Sequence, residues 1–417
     1  MMRDYSSLIS KNLCTGFFLS FFYCLLGSSL PCLADEISGD LKLFHLMSGA
    51  PRGTDEFAGS SSGALTSRFK LKNTWTNFKA EGHLVFTALG SGTQSTSLFS
   101  LSPNLGTIKE ALPLSKQVIS DGSAQALLRA DRLFLSYEKG LFKITLGRQA
   151  ISFGEGRFFT PLDRVNPFSP ATVDREYKPG VDAFRLDGYW GIAGEWTMLI
   201  AQKGEWEMDH RVFAARVKDN LFTWDIALSA LWVEGDQVLG LSFVGPLAEL
   251  SFYGDFSYTW RVTKGETALE DQMRGETDPF IRTTFGVDWS WSLGGGGRLN
   301  IEFAYLEDGA NTIQNYVLTT TDPRFVRGER WLLGQQYLAI NVQQALTPLL
   351  NGSVSVISNL VDQSTLLGPN LLWSISDEVS ASIGGYIGMG QGLENLRPQS
   401  EFGTLSWLSF IMMSAYY

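Results

Sequence analysis

Long stretches of this chain alternate apolar and polar side chains at strict period two. In residues 222–232, Phe222, Trp224, Ile226, Leu228, Ala230 and Trp232 fall on one side, and Thr223, Asp225, Ala227, Ser229 and Leu231 on the other. Residues 248–262 set Ala248, Leu250, Phe252, Phe256, Tyr258, Trp260 and Val262 against Glu249, Ser251, Tyr253, Asp255, Ser257, Thr259 and Arg261. Residues 281–293 repeat the pattern, with Phe285, Val287, Trp289 and Trp291 opposing Arg282, Thr284, Asp288 and Ser290. Adjacent side chains of a strand point to opposite faces, so each stretch is a strand with one apolar and one polar side. Soluble sandwich strands alternate too. These runs, however, are 11 to 15 residues long, where soluble strands average about 5–6 and a tilted strand needs about 9–11 to cross a bilayer. Beyond residue 34 no window holds about 20 consecutive apolar residues, so no helix is expected to span a membrane.

The same reading applied along the chain places strands at 40–48, 64–76, 78–90, 127–138, 141–149, 181–189, 192–203, 211–218, 221–233, 238–244, 247–262, 280–292, 298–306, 331–344, 350–360, 366–375, 378–389 and 402–417. Their connections alternate between tight and long, as they do in transmembrane barrels with short periplasmic turns and long outer loops. The fold class expected is therefore an all-β transmembrane antiparallel β-barrel of 18 strands, or 16 if the first strand and one other weak one are dropped. A closed sheet pairs every backbone N–H and C=O inside hydrocarbon and leaves no edge. Trp75, Trp224, Trp232, Trp260, Trp289 and Trp291 are candidates for the interfacial aromatic belts.

Residues 1–34 read as an export signal. Arg3 and Lys11 precede an apolar core at 13–26, and Cys32-Leu33-Ala34 offers a cleavage site. The barrel is then 35–417, which contains no cysteine, since the only three are Cys14, Cys24 and Cys32. A net charge of −10 argues against nucleic acid as a partner. A mean hydropathy of 0.00 is what strands give when their two faces average out. Trp407 to Tyr417 forms a long strand-like end with a terminal aromatic, resembling the signal by which the barrel-assembly machinery recognises outer-membrane barrels. The expected location is the outer membrane of a Gram-negative bacterium, with outer-membrane lipid around the wall.

Barrels of this size enclose a water-filled lumen. Parity assigns Arg68, Lys70, Lys72, Lys143 and Arg185 to a more basic N-terminal wall, with Arg148 at the strand mouth. Asp225, Glu249, Asp255, Arg261, Arg282, Asp288, Arg298 and Glu302 fall on a mixed or acidic one. Such charged walls set ion preference unless the charges pair with their neighbours.

One segment carries a family resemblance. Residues 146–170, with Gly147-Arg-Gln149, Gly154 and Asn166-Pro-Phe168, followed by Asp174 to Asp182, resemble a stretch of Gram-negative outer-membrane porin-like barrels of the alginate-export type. The resemblance implies an 18-stranded channel passing small polar or charged solutes or an exported anionic polysaccharide. Read from its residues, the segment is a long loop interrupted by Pro161, Pro167, Pro170 and Pro179. Glu155, Asp163, Asp174 and Glu176 balance Arg157, Arg164, Arg175 and Lys178. Such a loop either folds into the lumen as a constriction or stays solvated outside. Two other classes compete with a channel: an adhesin or receptor using loops 91–126 and 307–330, and a barrel hydrolase. The only histidines, His45, His83 and His210, show no catalytic or metal-ligand spacing. No cofactor and no metal is expected, and no catalytic residue is singled out.

Overall fold

The structure, a computed structural model, describes residues 35–53, 59–90, 110–121, 124–168, 172–204, 210–261, 278–326, 329–395 and 397–417. The segment read as an export signal, 1–34, lies outside them. The first strands are β1 (Glu36–Ser48), β2 (Ser60–Trp75), β3 (Phe78–Gly90), β4 (Ser115–Asp121), β5 (Ala124–Lys139), β6 (Phe142–Gln149) and β7 (Val181–Trp190). Next come β8 (Gly194–Gln202), β9 (Arg211–Leu221), β10 (Trp224–Val233), β11 (Asp236–Leu247), β12 (Leu250–Arg261), β13 (Phe280–Trp291) and β14 (Gly297–Leu306). Two short helices, α1 (Tyr316–Thr321) and α2 (Pro323–Val326), interrupt the following loop. The chain ends with β15 (Gln336–Thr347), β16 (Leu350–Asn359), β17 (Ser364–Ser374), β18 (Val379–Met389), a small hairpin β19 (Leu393–Glu394) and β20 (Arg397–Pro398), and β21 (Leu408–Tyr416).

Eighteen of the nineteen strands in the main sheet close into an antiparallel barrel. The seam is β1 on β21, running from Asp40 opposite Tyr416 to Ser48 opposite Leu408. Gly39 and Tyr417 extend it with reciprocal backbone bonds of 2.8 and 3.1 Å. All eighteen segments read from the alternation are wall strands. The nineteenth, β4, was not legible from the sequence. It pairs only with the outer half of β5, Ser115 opposite Arg129, because β6 pairs only with the inner half and leaves the wall at Gln149. β4 therefore covers an edge that would otherwise be unpaired. Arg148 staples this junction. It is 1% exposed, bonds Asp182 at 2.8 and 2.9 Å, and donates to the carbonyls of Leu112 and Ala130.

Outward parity positions carry exposed apolar side chains, among them Phe69, Leu84, Leu228, Phe256, Phe285 and Ile411. Exposed to water, each would forfeit about 1.5–3 kcal/mol relative to an apolar surrounding. Trp75, Trp224, Trp289 and Trp291 lie at the turn ends of their strands, and Trp232 and Trp260 at the loop ends. Trp289 and Trp291 stack at 5.2 Å, and Trp291 Nε1 donates to Gln344 at 2.9 Å.

The apolar core is inside the barrel. Ile151, Phe153, Leu162 and Val165 of the loop 150–180 pack on inward-facing Leu199, Ala201, Val212, Ala214, Leu231, Val233 and Val238. Near the loop ends of β8 to β11 both faces are apolar, so alternation fails there. Leu231, the misfit on the polar side of residues 222–232, belongs to this patch. Leu231→Asp should therefore release the loop even though it places a charge on the nominally polar face, whereas Ser229→Asp should not. Protease cleavage within 150–168 of the folded barrel is the measurement; equal cleavage of the two variants would contradict the assignment.

Candidate functional site

The described parts of the loop 150–180 lie in the barrel interior and are held by two walls nearly opposite each other in the strand circuit, β12 to β14 and β1 to β2. A loop that leaves the sheet carries backbone N–H groups with no ladder partner, and these must be satisfied where they are buried. Here wall carboxylates take them. Asp255, 1% exposed, accepts from the amides of Glu155 at 2.9 Å and Gly156 at 3.0 Å. Glu302, 0% exposed, accepts from Arg157 at 2.8 Å, Phe158 at 3.1 Å and Phe159 at 2.6 Å. Five consecutive amides thus wrap two carboxylates. Gly154 makes the approach possible: its φ is 94°, and a Cβ there would lie 2.7 Å from Asp255 Oδ2. The Tyr253 hydroxyl donates to Glu302 at 2.7 Å, and its ring lies 4.9 Å from the Arg157 guanidinium, which also reaches Asp288 at 3.5 Å.

The other end of the loop meets cations. Lys42, 2% exposed, binds Asp174 at 2.9 Å and Glu176 at 2.6 Å. Tyr177 accepts a hydrogen bond from Lys70 at 2.7 Å, and its ring lies 4.2 Å from the Arg68 guanidinium. Arg68 itself pairs with Asp131 at 2.6 Å and is 1% exposed. Removing one member of a buried pair of this kind costs about 3–5 kcal/mol, because the survivor is left charged and dry. Within the loop, Lys178 binds Asp163 at 2.6 Å. Burial alone pushes the Asp163 carboxyl up and the Lys178 amine down, and each partner counters the shift of the other. Arg164, 0% exposed, bridges Asp236 at 3.2 Å and Glu329 at 3.0 Å.

Several residues sit differently from the pore-lining positions expected of them. Glu249 is exposed in the turn between β11 and β12, where Ala248 adopts φ 56°, so it faces no lumen. Arg148 is sealed in the junction of β4 to β7 because the wall changes strands there. Lys72 pairs with Glu36, and Asp225 with Lys218, both toward the turn end of the barrel. Arg282 is 3% exposed and clamps Asp308 at 2.6 Å under the loop 307–335. Burial opposes charge on Asp308, yet Arg282 and Arg330 outweigh it and hold the carboxyl below the ordinary range. The Arg261 side chain lies outside the described residues. Lys143 and Arg185 are half-buried, and Arg185 pairs with Asp187 at 2.8 Å.

Three arginines of the interior keep exposed side chains, beside the exposed carboxylate of Glu176. Arg157 keeps 43% and Arg298 53% of its side chain exposed, both leaning on Asp288, and Arg175 is exposed beside the Arg157 carbonyl. Sequence reasoning missed Lys42, Asp131, Tyr177 and Tyr253. Lys42 had a faint signal, since Asp40, Lys42 and Phe44 share one parity in the weak first strand. Among the described residues no group of His, Cys, Asp and Glu is placed to hold a metal ion.

No protein-family model matches the sequence, and no curated protein does. Solved structures do share the fold. OccAB3 of Acinetobacter baumannii superposes with a TM-score of 0.57 at 10% identity, covering 91% of this chain and 98% of that one. A BenF-like porin from Pseudomonas fluorescens Pf-5 gives 0.54 at 9% identity, with 92% and 98% covered. The outer membrane protein OpdK from Pseudomonas aeruginosa gives 0.51 at 6% identity, with 92% and 99% covered. The chain therefore has the eighteen-stranded fold of outer-membrane porins.

Glu302→Ala strips three amides of their acceptor, one buried and two part-buried, at up to about 1–3 kcal/mol each. The barrel should still form, read as heat-modifiable migration in detergent gels, while residues 155–159 become accessible to protease. A loop as protected as in the unmodified protein would remove Glu302 as its anchor.

Proposed function

We propose that this protein is a channel in the outer membrane of a Gram-negative bacterium, passing small polar or charged solutes passively and favouring anions. The observation that carries this reading is the loop strapped across the barrel interior. Its two walls engage their own charges against it, while Arg157, Arg175 and Arg298 keep exposed side chains. Asp255 and Glu302, which on a bare wall would attract cations, are occupied by amides. An arginine-bearing constriction raises the local concentration of anions.

The structural neighbours support a small solute. One is described as a BenF-like porin, and another structure is of OpdK with vanillate. An exported polysaccharide, which the resemblance of 146–182 to alginate-export-type barrels implies, is disfavoured by a strap with anchors on both sides of the interior. The final strand, with Tyr417 at its end, is the segment we assign to recognition by the barrel-assembly machinery. Catalysis is not part of the proposal. Ser61 Oγ lies 3.5 Å from His45 Nε2 on the outward face, but among the described residues no third group orients the ring. His83 is tied to Glu81 at 3.1 Å and to Arg68 at 3.2 Å. A surface receptor would be carried by the outer loops. Residues 91–109 of the loop 91–126 lie outside the described residues, and 307–330 is engaged with the barrel through Arg282 and Arg330.

Planar-bilayer recordings of the purified protein test the reading. Reversal potentials should show anion preference, and converting Arg157 and Arg298 to Glu should move them toward cation selectivity. Deleting residues 155–178 should raise single-channel conductance. A purified, folded barrel without conductance would overturn the channel; unchanged reversal potentials in the double variant would overturn the anion preference.

A further inference from the structure

Three loops converge on one side chain at the outer end of β15. Tyr337, 0% exposed, stacks against Phe159 of the constriction loop at 5.7 Å and against Phe402 of the loop 390–407 at 6.4 Å. Its hydroxyl meets the Glu401 carboxylate and the amide of Gly334, which lies in the loop 307–335. Glu401, 8% exposed, also accepts from the amide of Leu333 at 2.9 Å and from Asn359 Nδ2 at 2.7 Å. One carboxyl thereby joins the loop 390–407 to the loop 307–335, to β15 and to β16, and through Tyr337 to the tip of the constriction.

We propose that Glu401 and Tyr337 form a proton-sensitive latch that holds these three loops together, closed in acid and released in alkali.

The surroundings of Glu401 give it this property. Its hydrogen-bond partners among the described residues are all neutral donors, and no lysine, arginine or histidine pairs with it. The titratable groups that face it are Tyr337 from β15 and Asp362 from the turn 360–363, and Tyr316 of α1 joins through Asp362. Asp362 Oδ2 accepts from the Glu401 amide at 2.7 Å and from the Tyr316 hydroxyl at 2.7 Å. From the described part of the constriction loop come the rings of Phe159 and, at the margin of the same cluster, Phe158. Arg52 is engaged with the carbonyls of Gly388 and Gly390, and Arg397 of the loop itself lies in the hairpin of β19 and β20. A carboxylate here is dry, lacks a counter-ion and has a second carboxylate beside it.

Burial, outweighing the bonds from Tyr337 and Leu333 and reinforced by Asp362, pushes the Glu401 carboxyl from 4.5 up to about 7. The docked loops therefore bind a proton that the undocked loop, with an ordinary carboxyl, releases. The stabilisation is fully present below the ordinary value and is lost as the pH rises through about 7. Released loops free Tyr337 from its outer partners and remove the stack that backs Phe159, so the constriction loosens above neutrality.

The latch rests on the channel reading only for its electrical readout, and two measurements separate them. The first is single-channel conductance of the full-length protein from about pH 5 to about pH 9, a span that brackets the titration. It should rise through a midpoint near 7. Glu401→Gln, neutral at every pH, should hold it at the acid level throughout. Tyr337→Phe keeps the ring but removes a donor that favours the ionised carboxylate, so its midpoint should move up by roughly one unit. The second is protease cleavage of the loops 307–335 and 390–407 in proteoliposomes, taken as the ratio of wild type to Glu401→Gln at each pH. That ratio should rise through the same midpoint. A flat wild-type response, or the same response in Glu401→Gln, would overturn the latch. A protein that conducts nothing while its cleavage ratio still rises would overturn the channel and leave the latch standing.

Discussion

In hydrocarbon an unpaired backbone amide or carbonyl costs several kcal/mol, so a sheet crossing a membrane has to close on itself. The pairing of β1 with β21, extended by Gly39 and Tyr417, provides that closure, and the remaining architecture is conditional on it. Once the wall is continuous, one face of each strand is committed to lipid and the other to an enclosed interior. Where the wall is interrupted, at the end of β6, the structure repairs it with β4 and seals the join with Arg148. The strand that leaves the wall is the one that feeds the loop into the interior.

That loop resolves two problems at once. Its amides are orphaned by leaving the sheet, and the interior carboxylates Asp255 and Glu302 are buried on the wall; each satisfies the other. At the far end Asp174 and Glu176 neutralise Lys42, which would otherwise be a buried unpaired ammonium. The apolar patch around Leu162, Val165, Leu231 and Val233 adds a non-directional contribution beside these directional contacts. Wall charges that look like a selectivity ring in one dimension serve as docking points in three.

Much of this was legible in the residues. Every wall strand was, because alternation is imposed by the backbone of each strand alone. The interior loop was visible as a proline-interrupted, charge-balanced connection between β6 and β7. The failure of alternation at Leu231 and Val233 was a signal for the inner apolar patch, since an inward-facing leucine needs something apolar to meet. Glu249 was misplaced by a short shift at a strand end, where a left-handed Ala248 turns the chain before the alternation begins. The small hub of Tyr337, Asn359 and Glu401 gave no local sign, because its members belong to three separate elements.

What the sequence determined by itself is the wall: eighteen strands, their inner and outer faces, and the identity of the loop that departs from them. These follow from period-two geometry, which involves only neighbours along the chain. The tertiary structure decided which interior charges are consumed and which remain. Asp255 meets an amide 100 residues away, Glu302 one 145 away, and Lys42 an aspartate 132 away. Contacts across such separations are set by the closure of the barrel and the path of the strap. No local pattern encodes them, so the exposed Arg157 and Arg175 and the buried Glu401 emerge only once the interior has been filled.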